Sequence, residues 1–171
     1  MFAPTLHAAG RKWATTGQRY VEVQHLLSWY ISSAISRTRA ARGPTEAAPV
    51  LSVCAPGEQH SLPMEALGAA LGERGLPEPM FGPALPAEAS YEAVRRIGPS
   101  AVVLWAQSRS TADRAVVQRV SGREWGLRGA RAGPALLLAG PGWASCPHVP
   151  GTGRLKGLRS GVDAVEVLMR G

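Results

Sequence analysis

The run AVVLW at residues 101–105 decides the fold, because five consecutive apolar residues are typical of a strand that is buried on both faces. Two further runs of this kind, VLSVC at 50–54 and PALLLA at 134–139, lie on either side of it in the sequence. A half-exposed strand would alternate apolar and polar residues, and these runs are apolar almost throughout. The three runs therefore predict the centre of a parallel sheet that is covered on both faces.

Helical patterns separate these runs and complete the predicted domain. They have apolar residues at three- and four-residue steps and span residues 64–74, 87–97, 113–120 and 161–169. Residues 79–85 predict a poor edge strand, because Gly82 and Pro83 interrupt it, and Val149 predicts a final edge strand. Five strands alternating with helices favour an α/β fold, namely a flavodoxin-like five-stranded parallel sheet with helices on both faces.

The N-terminal residues follow a different pattern, that of a short helical cap. Apolar residues recur at helical spacing on one face: Tyr20, Val23, Leu26, Leu27, Tyr30, Ile31, Ala34 and Ile35. Residues 41–49 are small and contain proline, which is typical of a linker. The sequence therefore predicts a partial helical cap at 1–40, a linker at 41–49 and the α/β domain at 50–171.

Composition excludes several classes of protein. The chain has 171 residues with Lys+Arg 19 against Asp+Glu 12, a formal net charge of +7. The basic residues are scattered without a helix-turn-helix, zinc-finger or basic-zipper pattern, so we expect no specific DNA binding by this chain. The apolar runs are too short to cross a membrane, and the N-terminus has no apolar signal-peptide core. We expect a cytoplasmic protein whose two cysteines, Cys54 and Cys146, are reduced thiols.

A carboxylate and an imidazole lie together in the loop after the first strand. Glu58 and His60 are two positions apart, and a flavodoxin-like sheet binds ligands beyond the carboxyl ends of its strands. An imidazole that binds a metal through one nitrogen usually donates its other N–H to a carboxylate or similar group. The pair is a candidate metal-binding group, and a solvated loop histidine is the alternative. Gly140 and Gly142, after the fourth strand, indicate either a tight turn or the close approach of a ligand.

The order of these elements resembles the cobalamin-binding domain. That family carries D-x-H-x-x-G, then S-x-L, then G-G, and this chain has EQHSLP at 58–63, VLWA at 103–106 and AGPG at 139–142. The resemblance is to the branch found in light-responsive repressors of the MerR type, where G-E-x-H is usual and a helical cap precedes the domain. The cap of that branch carries a Trp followed by Glu-His, and Trp13 followed by Gln24-His25 is similar to it.

The resemblance implies a bound cobalamin, in its adenosyl form, with its tail extended into the sheet. His60 would be the lower cobalt ligand, and Glu58 would tune it as a hydrogen-bond partner. Ala106 and Gly140 would line the slot for the tail, where a side chain would obstruct it, and Gly142 belongs to the same cofactor-binding set.

The resemblance also gives the cap a role at the upper face of the cobalt. In that branch the Trp packs over the adenosyl group, and the His becomes the upper ligand once light breaks the cobalt–carbon bond. The matching positions are Trp13 and His25. This chain departs from the pattern at Pro63, which replaces a Gly, at Gln24, which replaces a Glu, and in a Trp-to-His interval longer by one residue. The winged-helix DNA-binding domain of that branch is missing, so the resemblance is to a stand-alone or truncated form.

These observations predict a non-enzymatic cobalamin-binding sensor in transcriptional control that responds to light and acts through a protein partner or self-association. Two alternatives stay open. A corrinoid carrier for methyl transfer would share the domain and the lower-ligand histidine but would have a four-helix cap without the Trp and His pair. A degenerate domain without cofactor would survive as an interaction module, and Pro63 and the weak second motif favour that alternative.

Overall fold

The computed structural model describes residues 21–38, 48–121 and 133–170. The chain divides into two units, Met1–Arg39 and Ala40–Gly171. In the first unit, helix α1 spans Val21–Thr38, with the acidic Glu22 in its first turn and the basic Arg37 in its last turn, which suits the helix dipole. Within the described residues no helix is long and apolar enough to span a membrane.

The second unit is built on a sheet whose five described strands are all parallel to their neighbours. The strands are β1 (Val50–Cys54), β2 (Met80–Phe81), β3 (Ala101–Trp105), β4 (Ala135–Ala139) and β5 (Thr152–Leu155). Their order in space is β2-β1-β3-β4-β5. The predicted flavodoxin-like sheet is confirmed, because the three apolar runs of the sequence form β1, β3 and β4 at its centre.

Helices cover both faces of this sheet, as the sequence predicts. They are α2 (Leu62–Glu73), α3 (Ala87–Ile97), α4 (Arg114–Val120) and α5 (Leu158–Arg170). On one face, which we call the α2/α5 face, buried residues of those two helices pack on the strands: Met64, Leu67, Leu71, Val162 and Val165. On the other face the corresponding residues come from α3 and α4: Val94, Val116, Val117 and Val120. Burial of apolar side chains in these two layers is the main stabilising contribution to the domain.

The two edge strands differ from the sequence-based expectation. β2 is only Met80–Phe81 rather than 79–85, because Pro83 offers no N–H to a neighbouring strand and Ala84 turns the chain with a φ of 56°. The prediction of a final strand at Val149 is wrong, since β5 begins at Thr152. The carbonyl of Val149 instead accepts hydrogen bonds from the backbone N–H and the hydroxyl of Thr152, which closes a turn.

Three loops meet at the carboxyl edge of the sheet. They follow β1, β3 and β4, which are hydrogen-bonded neighbours, so the sheet itself brings these loops together. After β1 the chain turns at Gly57, whose φ is +77°, and the N–H of Glu58 donates to the carbonyl of Ala55 at 2.9 Å. This turn directs Glu58 back into the protein, where its side chain is 2% exposed.

Candidate functional site

The carboxylate of Glu58 is the centre of the candidate site, and it accepts four hydrogen bonds from two loops. Its Oε1 accepts from the backbone N–H of His60 at 2.9 Å and lies 2.6 Å from the ring Nδ1 of the same residue. Its Oε2 accepts from the backbone N–H of Gln107 at 2.8 Å and from the hydroxyl of Thr111 at 2.7 Å. One buried side chain therefore joins the loop after β1 to the loop after β3.

The environment of Glu58 keeps it ionised. Burial alone would raise the pKa of this carboxyl, because it removes water from the charged form. The hydrogen bonds from His60, Thr111 and Gln107 act in the opposite direction and outweigh burial, so the pKa of Glu58 falls from 4.5 to about 2. A carboxylate that is negative at neutral pH and accepts four donors is a fixed anion beside the imidazole.

This anion determines which nitrogen of His60 is available. An ionised carboxylate only accepts hydrogen bonds, so the ring hydrogen lies on Nδ1, next to Glu58. In the neutral ring Nε2 then carries the lone pair, and the His60 side chain is 55% exposed. A metal-ligating histidine has this arrangement, with one nitrogen fixed by a carboxylate and the other presented outward. The predicted pairing of Glu58 with His60 is thus present in the structure, and the metal ligation itself stays a prediction.

Thr111 and Gln107 are site residues that the sequence analysis did not identify. Both lie in the loop after β3, 53 and 49 positions from Glu58, and nothing in a short motif joins them to it. The available indication was the cluster of hydroxyl residues at 108–111, which here forms a local network: Ser108 contacts Ser110 at 2.7 Å and Thr111 at 3.2 Å. The network orders the loop that carries the two donors to Glu58.

Pro63 is compatible with the local structure at this point of the chain. The helix α2 begins at Leu62, so Pro63 lies in its first turn. A proline is well tolerated there, because the first N–H groups of a helix have no partner within the helix and its φ is already suitable. Pro63, which replaces the Gly of the resembled motif, therefore lies at the start of α2, directly after the loop that carries His60.

Gly140 and Gly142 are required by the close approach of two loops. A Cβ on Gly140, whose φ is +103°, would lie 2.3 Å from the carbonyl oxygen of Ala106. A Cβ on Gly142 would lie 2.3 Å from the carbonyl oxygen of Ser108, and its N–H donates to the carbonyl of Ala106 at 3.0 Å. The protein's own backbone accounts for both glycines. That Ala106, Gly140 and Gly142 also line a cofactor stays a prediction.

Cys54 lies beneath the site and is not a reactive thiol. It is fully buried at the end of β1, and its Sγ is 4.0 Å from the carbonyl oxygen of His60. Burial, and to a smaller extent the negative charges of Glu58 and Glu65, raise the pKa of Cys54 to about 12. Metals bind the thiolate, so this residue is a poor candidate ligand at neutral pH. In the described ranges no group of three or more His, Cys, Asp and Glu side chains forms a metal-binding cluster.

The described structure does not test the two cap residues of the prediction. Trp13 lies outside the described residues. His25 is an exposed residue of α1, in the N-terminal unit. Their predicted roles at an upper cobalt face stay predictions.

Comparison with solved structures shows which class of protein has this fold. A chain of the methanol:cobalamin methyltransferase complex MtaBC from Methanosarcina barkeri matches 97% of this chain with a TM-score of 0.58 and 14% identity. The monomethylamine corrinoid protein of Methanosarcina barkeri matches 84% with a TM-score of 0.54 and 14% identity. This chain spans 65% and 64% of the length of those two chains. No protein-family model and no curated protein sequence matches it.

The fold is therefore the flavodoxin-like α/β fold found in cobalamin-binding and corrinoid proteins. At 14% identity the likeness shows the fold alone. These structures do not test the more specific resemblance to the domain of the MerR-type repressors.

Proposed function

We propose that this chain binds a corrinoid and that Nε2 of His60 is its protein ligand to cobalt. The observation that carries the proposal is the pairing of His60 with the buried anion Glu58, which fixes Nδ1 and leaves Nε2 exposed at the carboxyl edge of the sheet. The location of this pair at the carboxyl ends of parallel strands, in a fold shared with corrinoid proteins, supports it.

The donor set fits a corrinoid. The site offers one outward imidazole nitrogen, and a corrinoid would need a single nitrogen ligand from the protein, because its own macrocycle would supply the others. Imidazole is a suitable ligand for divalent first-row transition metals. When bound, the corrinoid would supply a cobalt centre that forms and breaks a bond to carbon.

The residues of this chain would control the imidazole. Glu58 holds the hydrogen on Nδ1, so that the lone pair of Nε2 faces outward and is free to bind a metal. Thr111 and the backbone N–H of Gln107 hold Oε2 of the same carboxylate, so that the anion cannot turn away from the ring. In this proposal the chain binds and positions the cofactor and is not itself an enzyme.

Two roles for such a module are proposed, and a specific feature favours each. Trp13 and His25, through the resemblance to the MerR-type branch, favour a sensor that binds an adenosylated corrinoid and responds to light through a protein partner or a second copy of the chain. The likeness to a chain of a methanol:cobalamin methyltransferase complex favours a corrinoid carrier that works with a methyltransferase.

Illumination of the chain loaded with an adenosylated corrinoid separates these roles. A sensor is expected to change its oligomeric state on illumination and to lose the light-induced spectrum in His25→Ala. A carrier is expected to keep one oligomeric state in light and darkness, and His25→Ala is expected to have no effect on its spectrum.

Retention of a corrinoid tests the binding proposal itself. The purified chain is mixed with aquocobinamide or hydroxocobalamin, free corrinoid is removed by gel filtration, and the absorption spectrum of the protein fraction is recorded. We expect retained corrinoid with a shifted spectrum, and loss of that shift in His60→Ala. His148→Ala is the matched control, because His148 is another exposed loop histidine. A wild-type chain that retains neither corrinoid would contradict the proposal.

A further inference from the structure

Trp105 is a bulky residue at the point where the resemblance implies a slot for the cofactor tail. It is the last residue of β3 and pairs in register with Cys54 of β1 and Ala139 of β4. Its side chain packs on the α2/α5 face together with the buried core of that face. The residue that follows it, Ala106, packs in the core of the other face, and Gly140 follows its partner Ala139. Of the two residues predicted to line the slot, Gly140 is therefore the one that the indole approaches.

The space between these residues is filled by the protein. A Cβ on Gly140 would lie 2.3 Å from the carbonyl oxygen of Ala106 and 3.0 Å from Cε3 of the Trp105 indole. Separations below 3.0 Å are not tolerated between non-bonded carbon and oxygen atoms, so a single methyl group does not fit on this side of Gly140. A nucleotide base is many times larger than a methyl group, so it does not fit beside Gly140 while the Ala106 carbonyl and the edge of the Trp105 indole occupy this space.

The layer below Trp105 offers no alternative route. Side chains from both helices and the central strands fill the α2/α5 face, and each is at most 7% exposed: Met64, Leu67, Val103, Leu137, Val162 and Val165. Close-packed cores accept an inserted group only if side chains are displaced. The carboxyl end of this face is thus closed by Trp105 above a continuous apolar core.

Packing rather than hydrogen bonding holds the indole in this position. Its Nε1 is buried and has no hydrogen-bond partner in the structure. Phenylalanine at this position would keep an aromatic ring in the same place, whereas alanine would remove the part of the obstruction that the indole makes and leave the Ala106 carbonyl where it is. Comparison of Trp105→Phe with Trp105→Ala therefore separates the effect of losing the aromatic ring from the effect of any substitution at this position.

We propose that Trp105 is a specificity-determining residue that makes the chain select a corrinoid without a nucleotide tail, of the cobinamide class, over intact cobalamin. This inference rests on the proposed corrinoid binding at His60. A corrinoid without the tail needs no slot in the sheet. It also presents an open lower face to Nε2 of His60, with no base of its own to compete for the cobalt.

Parallel absorption titrations of the whole chain with aquocobinamide and hydroxocobalamin test the inference. We expect wild type to bind aquocobinamide at least about tenfold more tightly than hydroxocobalamin, a ratio that corresponds to about 1.4 kcal/mol. Trp105→Phe is expected to keep this preference. Trp105→Ala is expected to bring the two dissociation constants to within about threefold by strengthening hydroxocobalamin binding, which corresponds to a difference of about 0.65 kcal/mol.

The outcomes distinguish this inference from the proposal on which it rests. Wild type that binds hydroxocobalamin as tightly as aquocobinamide overturns the role of Trp105 and leaves the function of His60 intact. Wild type that binds neither overturns corrinoid binding and the selectivity with it. The comparison of two ligands on the wild-type chain decides the matter even if Trp105→Ala does not fold.

Discussion

Thr111 donates its hydroxyl hydrogen to Oε2 of Glu58 over 2.7 Å, across 53 positions of sequence. The other oxygen of that carboxylate faces His60. A single buried anion therefore sets the position of the imidazole relative to the loop after β3. Glu58, the partner of His60, is held by donors from two loops. The imidazole is therefore already in position in the free protein, before any ligand binds.

Replacement of Glu58 by glutamine is expected to destabilise the domain. The amide would present two hydrogens where the carboxylate now accepts from Gln107 and Thr111, which leaves buried donors without acceptors. We expect Glu58→Gln to lower the free energy of unfolding at pH 7 by about 2–3 kcal/mol, measured by urea denaturation. Glu92→Gln, at an exposed carboxylate, is the control and is expected to stay within about 0.5 kcal/mol of wild type. Equal stability of the two variants would contradict the role of Glu58.

Acid is expected to remove the stability that the ionised Glu58 contributes. The pKa of Glu58 is lower in the folded protein than in the unfolded chain, so the native state binds its proton less readily. The stability that Glu58 contributes is complete above pH 4.5 and is lost as the pH falls through about 2. A shift of this size corresponds to about 3 kcal/mol. The difference in unfolding free energy between wild type and Glu58→Gln should shrink over that range, and a difference independent of pH would contradict the assignment.

The contact between the loops after β3 and β4 predicts a strong effect at Gly142. An added methyl group would meet the backbone carbonyl of Ser108, which cannot rotate away as a side chain would. We expect Gly142→Ala to cost about 2 kcal/mol or more in thermal or urea unfolding, as overpacking of a rigid contact does. Gly82→Ala is the matched control, because Gly82 has open space around its Cβ position. The idea fails if both substitutions have the same small effect.

The two cysteines are expected to differ in reactivity. Cys54 is buried and its pKa is about 12, so at pH 8 only about one molecule in ten thousand carries the thiolate. Cys146 is partly exposed. A chromogenic disulfide reagent should label one thiol promptly in the native protein and the second only after unfolding. Cys146→Ser should abolish the prompt reaction; if Cys54→Ser abolishes it instead, the assignment is wrong.

The central strands of this fold could be predicted from sequence, and the edge strands could not. The runs at 50–54 and 101–105 are buried on both faces, and continuous apolar sequence is the direct consequence of that environment. The strand β5 reads TGRL and has no apolar run. It is a strand because its backbone pairs with β4. Backbone pairing of an edge strand requires no particular pattern of side chains, so the sequence does not reveal it.

The same distinction applies to the site. Glu58 and His60 are two residues apart, so their sequence alone indicated a local carboxylate–imidazole pair. Thr111 and Gln107 reach that pair only because β1 and β3 are adjacent in the sheet. The reason for Gly142 likewise lies in another loop, at Ser108, and not in its own turn. Residues fixed by contacts distant in sequence were therefore the ones that sequence analysis did not identify.

Electron paramagnetic resonance of the cobalt(II) form tests the ligation by His60 most directly. The chain is produced with ¹⁵N in all its nitrogens and loaded with an unlabelled corrinoid, so that a protein ligand and a ligand from the cofactor split the cobalt lines differently. We predict doublet splitting, from one ¹⁵N nucleus of the protein, and its loss in His60→Ala with retention in His148→Ala. Triplet splitting from ¹⁴N, or doublet splitting that survives in His60→Ala, would contradict the account.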